Sequence, residues 1–136
     1  MYKSAGLVII KNNKILLGHP TNGAWISSYT IPKGEIEDGE NMVQAAIRET
    51  FEEVGIILPE ERIPKEYHTI EYKDKTGSVY KEVYYFIVNV KDDEYPDILP
   101  KDQLQEAEID WAGFLPLKEA EKKIFWRFKS ILKNLQ

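Results

Sequence analysis

The sequence predicts an α/β (α+β) fold in one domain covering residues 1–136. Three observations predict it. Short β-branched runs flank one central and one terminal helical stretch, the pattern of a sheet with helices packed on it. The 136 residues are 43% hydrophobic and 30% charged, ordinary for a chain that buries a sizeable core. No internal repeat, low-complexity segment or linker interrupts the pattern.

Taken in order, Ala5 to Ile10 and Lys14 to Gly18 are apolar runs separated by Asn12-Asn13, a turn pair, and read as a β-hairpin with Leu16 and Leu17 in the core. His19 follows and reads as a surface or hydrogen-bonding residue rather than a ligand. Thr21 to Ser28 is a loop, and Tyr29-Thr30-Ile31 reads as a strand leading into Pro32-Lys33-Gly34, where a bend would point backbone carbonyls out of the sheet. Glu35, Glu37 and Asp38 form an acidic loop that matches no ligand pattern.

From Glu40 to Val54 there is neither Pro nor Gly, and Gly39 and Gly55 bracket the run, so it predicts a helix. At about 100° per residue, Val43, Ala46, Ile47, Thr50, Phe51 and Val54 share one face and predict its buried stripe. Ile57 to Lys65 is a loop with two prolines, and Tyr67 to Tyr72 alternates as a strand. Asp74 to Ser78 is a turn, and Val79 to Val90, rich in Val and Tyr, is the strongest strand signal. The pair predicts a long hairpin. Asp92 to Gln105 is a polar loop, and a short strand falls within Glu106 to Leu117. A terminal helix is predicted from Lys118 to Leu135, burying Ala120, Ile124, Phe128, Ile131 and Leu135 against the sheet.

Composition removes several function classes. The absence of Cys excludes disulfides, thiolate metal sites and Cys nucleophiles. A net charge of −5 does not attract a phosphate backbone, so polynucleotide binding is not expected. An acidic enzyme acting on phosphates needs a cation to bring its substrate in. The first residues lack the apolar core of a signal peptide and no run approaches a membrane span, so a cytoplasmic protein without membrane association is expected.

On the predicted central helix Glu49, Glu52 and Glu53 share a second face, where mutual repulsion costs a few tenths of a kcal/mol per pair. Such a face is either a solvated charge run or a site for a hard cation such as Mg²⁺ or Mn²⁺. The wider spacing is Gly34, five residues, Glu40, seven residues, Arg48-Glu49, then Glu52-Glu53 and Gly55-Ile56. This resembles the Nudix box, and all seven fixed positions are present. A chance match at one start is on the order of 10⁻⁸ if each residue type occurs about once in fifteen. Thr50 departs from the pattern at a position that is usually aliphatic. Trp25 and Pro32-Lys33-Gly34 are similar to the approach to the box in many Nudix hydrolases.

The resemblance implies a mixed sheet sandwiched between helices, with the box as loop–helix–loop. It implies Mg²⁺-dependent (alternatively Mn²⁺-dependent) hydrolysis of a nucleoside diphosphate linked to another group. Carried over, Glu52 and Glu53 would be the principal metal ligands, joined by the Lys33 carbonyl and by Glu49, which would be a ligand or the general base. Arg48 would orient the carboxylates, and Glu40 would be structural or assist from the first helical turn. Glu106 and Glu108 are the alternative bases outside the box. Lys81, Tyr84 and Tyr85 resemble a Lys-x-x-Tyr-Tyr run of the dinucleoside polyphosphate hydrolases, so Lys81 and Tyr85 are expected at the substrate, or else face solvent as ordinary strand residues. Trp25 is expected either at the substrate mouth or packed in the core. The implied substrate is a small nucleotide derivative, a dinucleoside polyphosphate or a nucleoside triphosphate. A non-catalytic nucleotide-sensing module is the opposing reading, and homodimers are common among relatives.

Overall fold

The computed structural model describes residues 1–135. Its elements are β1 (Tyr2–Lys11), β2 (Lys14–Pro20), β3 (Lys33–Glu35), α1 (Met42–Val54), β4 (His68–Lys73), β5 (Val79–Val90), β6 (Ile109–Pro116), α2 (Leu117–Lys123) and α3 (Lys129–Lys133). The strands form one mixed sheet in the order β4-β5-β1-β2-β6, with β3 paired to the first part of β1. β1 and β5 run parallel and the other pairs antiparallel. This is the α+β class expected. β1 is central and covered on both faces, which explains its near-continuous apolar run. Asn12 and Asn13, at φ 48° and 61°, make the two-residue turn into β2.

The sheet separates two cores. On one face Ala45, Ala46 and Val54 of α1 pack with Leu7, Ile9, Leu16 and Phe86. On the other, Ala120, Ile124, Phe128 and Ile131 pack with Val8, Ile15, Leu17 and Val83. No helix among the described residues is long and apolar enough to cross a membrane.

Four local expectations are corrected. Tyr29-Thr30-Ile31 makes only isolated bridges, Thr30 to Gly18 and Tyr29 to Ile124. The strand there is Lys33–Glu35. Pro32 has no N–H to extend a ladder through itself, although its carbonyl accepts from Leu7 N at 3.2 Å. The central helix begins at Met42, not Glu40. Asn41 caps it, accepting from Gln44 N at 2.9 Å while Gln44 Oε1 accepts from Asn41 N at 2.9 Å. Glu40 therefore lies ahead of the cap, outside the first turn. Phe51 is 51% exposed and Ala45 takes its place in the stripe. Thr50 is fully buried, with its hydroxyl donating to the Ala46 carbonyl at 2.7 Å.

The terminal helix is broken. After α2, Ile124 and Phe125 are extended, Trp126–Phe128 form a 3₁₀ turn, and α3 follows. The break exchanges helical bonds for bonds to Tyr29, whose N–H donates to Lys123 O at 2.9 Å and whose carbonyl accepts from Phe125 N at 2.8 Å. β-Branched and aromatic residues at 124–126 hold a helix poorly, which makes the exchange inexpensive. The predicted stripe is still buried, apart from half-buried Leu135.

Candidate active site

The site is built on Arg48. Its Nε and Nη2 donate to the two oxygens of Glu40 at 2.7 and 3.0 Å, a bidentate clamp. Nη1 donates to Glu49 at 2.8 Å and to Glu52 at 3.1 Å, and Nη2 also donates to the Glu35 carbonyl at 3.0 Å. One guanidinium thus gathers carboxylates from the box loop and from the helix. It lowers the pKa of Glu40, and those bonds hold Arg48 firmly protonated. Gly34 completes the arrangement: a Cβ there would lie 2.0 Å from the Glu49 carboxyl carbon. Only glycine lets β3 pass so close to that carboxylate.

Glu53 stands apart from Arg48. Its Oε1 accepts from the Lys33 backbone N–H at 3.3 Å, and burial pushes its pKa up to about 8. Burial also raises Glu49, against the pull of Arg48. Glu49, Glu52 and Glu53 line one polar cleft of about 370 Å³ together with Lys33, Gly34, Gln105 and Glu108. As the side chains stand, no three His, Asp or Glu among the described residues converge to hold an ion, because Glu49 and Glu52 give oxygens to Arg48. The donor set is nevertheless all hard oxygen, and two of its members are carboxylates made costly by burial, which a divalent cation would relieve. The residues fit such an ion.

A second cleft of about 340 Å³ adjoins the first and shares Lys33, Glu53 and Glu108 with it. Its apolar wall includes Ile31, Tyr72, Ile109, Phe125 and Phe128. The broken C-terminal helix is what supplies Phe125 and Phe128. The Lys33 ammonium lies 5.7 Å over the Phe128 ring, with its pKa lowered by burial and by Lys81.

The structure brings together some of the expected residues and separates others. Lys33, Glu49, Glu52 and Glu53 share the polar cleft. Lys81 lines neither cleft; it is half-buried and lies 5.0 Å over the ring of Tyr72, which lines the aromatic one. Tyr85 does not reach either cleft. It is 1% exposed, stacks on His68 at 5.1 Å, and accepts from Asn134 Nδ2 at 2.6 Å. It shares a strand face with Lys81, but four residues of extended chain carry it roughly 13 Å away. Tyr84 points to the opposite face and donates to Glu82 at 3.0 Å. Glu106 and Glu108 are both exposed, but Glu106 lines neither cleft whereas Glu108 lines both. The loop is fixed this way by Thr21, which bonds the Glu106 carbonyl at 2.6 Å and the Glu108 carbonyl at 3.0 Å, and by Gln105 N donating to Glu53 O at 2.9 Å.

Trp25 is not packed in the core. It is 58% exposed and stacks on His19 with centroids 3.4 Å apart, and it lines neither cleft. His19 is buried and hydrogen-bonded, to Asp110 at 2.5 Å and to the Gly23 and Ala24 carbonyls at 3.0 and 3.1 Å. Sequence reading missed Tyr72, Phe125 and Phe128. Tyr72 was findable, since the hairpin turn at Asp74–Ser78 sets it opposite Lys81.

Comparison with known proteins agrees with this geometry. The family model described as NUDIX domain matches residues 1–135. The crystal structure of a C. elegans Ap4A hydrolase is 30% identical, covers 99% of this chain and 96% of its own, and superposes with a TM-score of 0.69. Its binary complex is 29% identical, with 99% and 95% coverage and a TM-score of 0.71. The E. coli dihydroneopterin triphosphate pyrophosphohydrolase shares the fold at 18% identity, with 97% and 92% coverage and a TM-score of 0.69. With its box intact and its carboxylates gathered around Arg48, the chain belongs to the Nudix family.

Proposed function

We propose that the pyrophosphate bond cleaved by this hydrolase belongs to a small nucleotide derivative, with a dinucleoside polyphosphate as the first candidate and a nucleoside triphosphate as the second. One observation carries this: the apolar, aromatic cleft and the polar carboxylate cleft adjoin and share Lys33, Glu53 and Glu108. A base can lie in the aromatic cleft against Phe125 while its phosphates reach Lys33 and the carboxylates. The similarity to C. elegans Ap4A hydrolase supports the first candidate.

A divalent cation, Mg²⁺ or alternatively Mn²⁺, would be held by Glu52, Glu53, Glu49 and the Lys33 carbonyl. It would neutralise phosphate charge and lower the pKa of bound water. A bifunctional NMN adenylyltransferase/ADP ribose pyrophosphatase from Francisella tularensis, of which the match covers 41%, is a complex with AMP and a Mn ion. Arg48 holds Glu49 and Glu52 in place by hydrogen bonds from one nitrogen. Glu108, held at the junction by the Thr21 clamp, is positioned to accept a proton from the attacking water, with Glu49 as the alternative base. Lys33 and Lys81 balance phosphate charge on the apolar side.

The test is a panel of nucleoside triphosphates, dinucleoside polyphosphates, nucleotide sugars and ADP-ribose, incubated with and without Mg²⁺, with products separated. Metal-dependent release of a nucleotide, fastest from a dinucleoside tetraphosphate, is expected. A stronger preference for nucleoside triphosphates would reject the first candidate.

A further inference from the structure

Arg127 is not explained by the chemistry above. Its guanidinium carbon lies 4.4 Å over the Tyr72 ring and 4.4 Å over the Trp126 ring, a cation–π contact with each. Its single polar contact among the described residues is Nη2 to the Tyr80 hydroxyl at 3.4 Å. No carboxylate among the described residues pairs with it within 4.0 Å, nor with Lys81, which lies 5.0 Å over the same Tyr72 ring. Two cations therefore share one ring with no anion between them, in a chain of net charge −5. Trp126, 62% exposed, packs against Arg127 at the surface.

Beyond the bond to Tyr80, the guanidinium's N–H donors have no partner among the described residues. They form the fork that matches phosphate oxygens bidentately, and contact with two rings restricts the side chain. Tyr72 connects the two regions: it is part of the cleft wall and it carries Arg127.

We propose that Arg127 forms an outer anion subsite at the rim of the aromatic cleft, where it contacts a phosphate remote from the carboxylates and so favours substrates with a long polyphosphate chain. This rests on the nucleotide reading of the aromatic cleft given above, but not on turnover.

The test is equilibrium binding by calorimetry, in Mg²⁺, of a methylene-bridged dinucleoside tetraphosphate, of AMP and of inorganic phosphate. The unmodified chain is compared with Arg127→Gln and Arg127→Lys. Arg127→Gln is expected to weaken the tetraphosphate analogue about tenfold, the scale of one charge-assisted hydrogen bond, and AMP by less than about twofold. Arg127→Lys recovers part of the loss, and the salt dependence of analogue binding becomes shallower in Arg127→Gln. An unchanged affinity for the analogue would overturn the proposal. So would an equal loss for the analogue and AMP, which would make Arg127 a prop for Tyr72. Inorganic phosphate losing affinity while the analogue does not would overturn it by making free phosphate the ligand. Failure of the hydrolase reading would register separately, as absent metal-dependent turnover in the unmodified chain, and leaves this comparison intact.

Discussion

At the scale of single residues, geometry assigns different duties to carboxylates that look alike in sequence. Glu40, Glu49 and Glu52 share Arg48, while Glu53 is half-buried against the Lys33 backbone. Gly34→Ala should drive a methyl group into the Glu49 carboxylate and lower kcat/KM by about 10²-fold with the fold retained, which steady-state kinetics and circular dichroism would check. Glu108→Gln should lower kcat by about 10²–10⁴ if it accepts the proton, and Glu106→Gln by less than about twofold. Equal effects of the two would remove the distinction drawn from the Thr21 clamp. The clustering of Glu49, Glu52 and Glu53 was legible in the sequence because one helix fixes their spacing. Lys81, expected at the substrate, lines neither cleft and meets the aromatic one only through Tyr72. Choosing Glu108 over Glu106 was not legible. Two loop glutamates separated by Ala107 are distinguished by how the loop is tied to Thr21, 85 positions from Glu106, and to the Glu53 carbonyl. Tyr85 misled because local pattern gives the face of a strand but not the distance along it to a cleft.

At the scale of elements, the helix and hairpin boundaries depend on backbone chemistry that the sequence carries in part. The Asn41–Gln44 capping box was present in the letters, and it moves the start of α1 past Glu40. Asn41→Ala should cost about 1 kcal/mol in denaturant unfolding. Gly55 ends α1 at φ 74°, and a Cβ there would lie 2.7 Å from Gln103 Cβ. Gly55→Ala should therefore cost about 1–3 kcal/mol, more than the usual penalty for a left-handed cap alone. It should also lower activity, since Gln103 and Gln105 tie the Glu108 loop to the end of α1 through Val54 O and Glu53 O. The break in the C-terminal helix was not legible. The apolar stripe is the same for a continuous and a broken helix, and what decides between them is pairing with Tyr29, nearly a hundred residues away.

At the scale of the whole molecule, the site should be readable in stability. The pKa of Glu53 is pushed from 4.5 to about 8, so the folded metal-free chain holds a proton that the unfolded chain releases. A raised pKa gives stability that is full below about 4.5 and is lost as pH rises through about 8. Glu94, held near 2 by Arg62, acts in the opposite sense but only below about 4.5, outside that window. The Tm of metal-free protein should fall between about pH 5 and pH 8. Glu53→Gln should flatten the fall, and Mg²⁺ should raise Tm more at the alkaline end. The central claim is that half-buried carboxylates beside an aromatic cleft make a metal-dependent hydrolase of nucleotide anhydrides. Product release from a dinucleoside tetraphosphate, with Mg²⁺ and with chelator, by the unmodified chain and by Glu53→Gln, tests it most directly. The account predicts turnover that needs the metal and drops by at least about 10²-fold in the variant. Turnover that survives both the chelator and Glu53→Gln would contradict it.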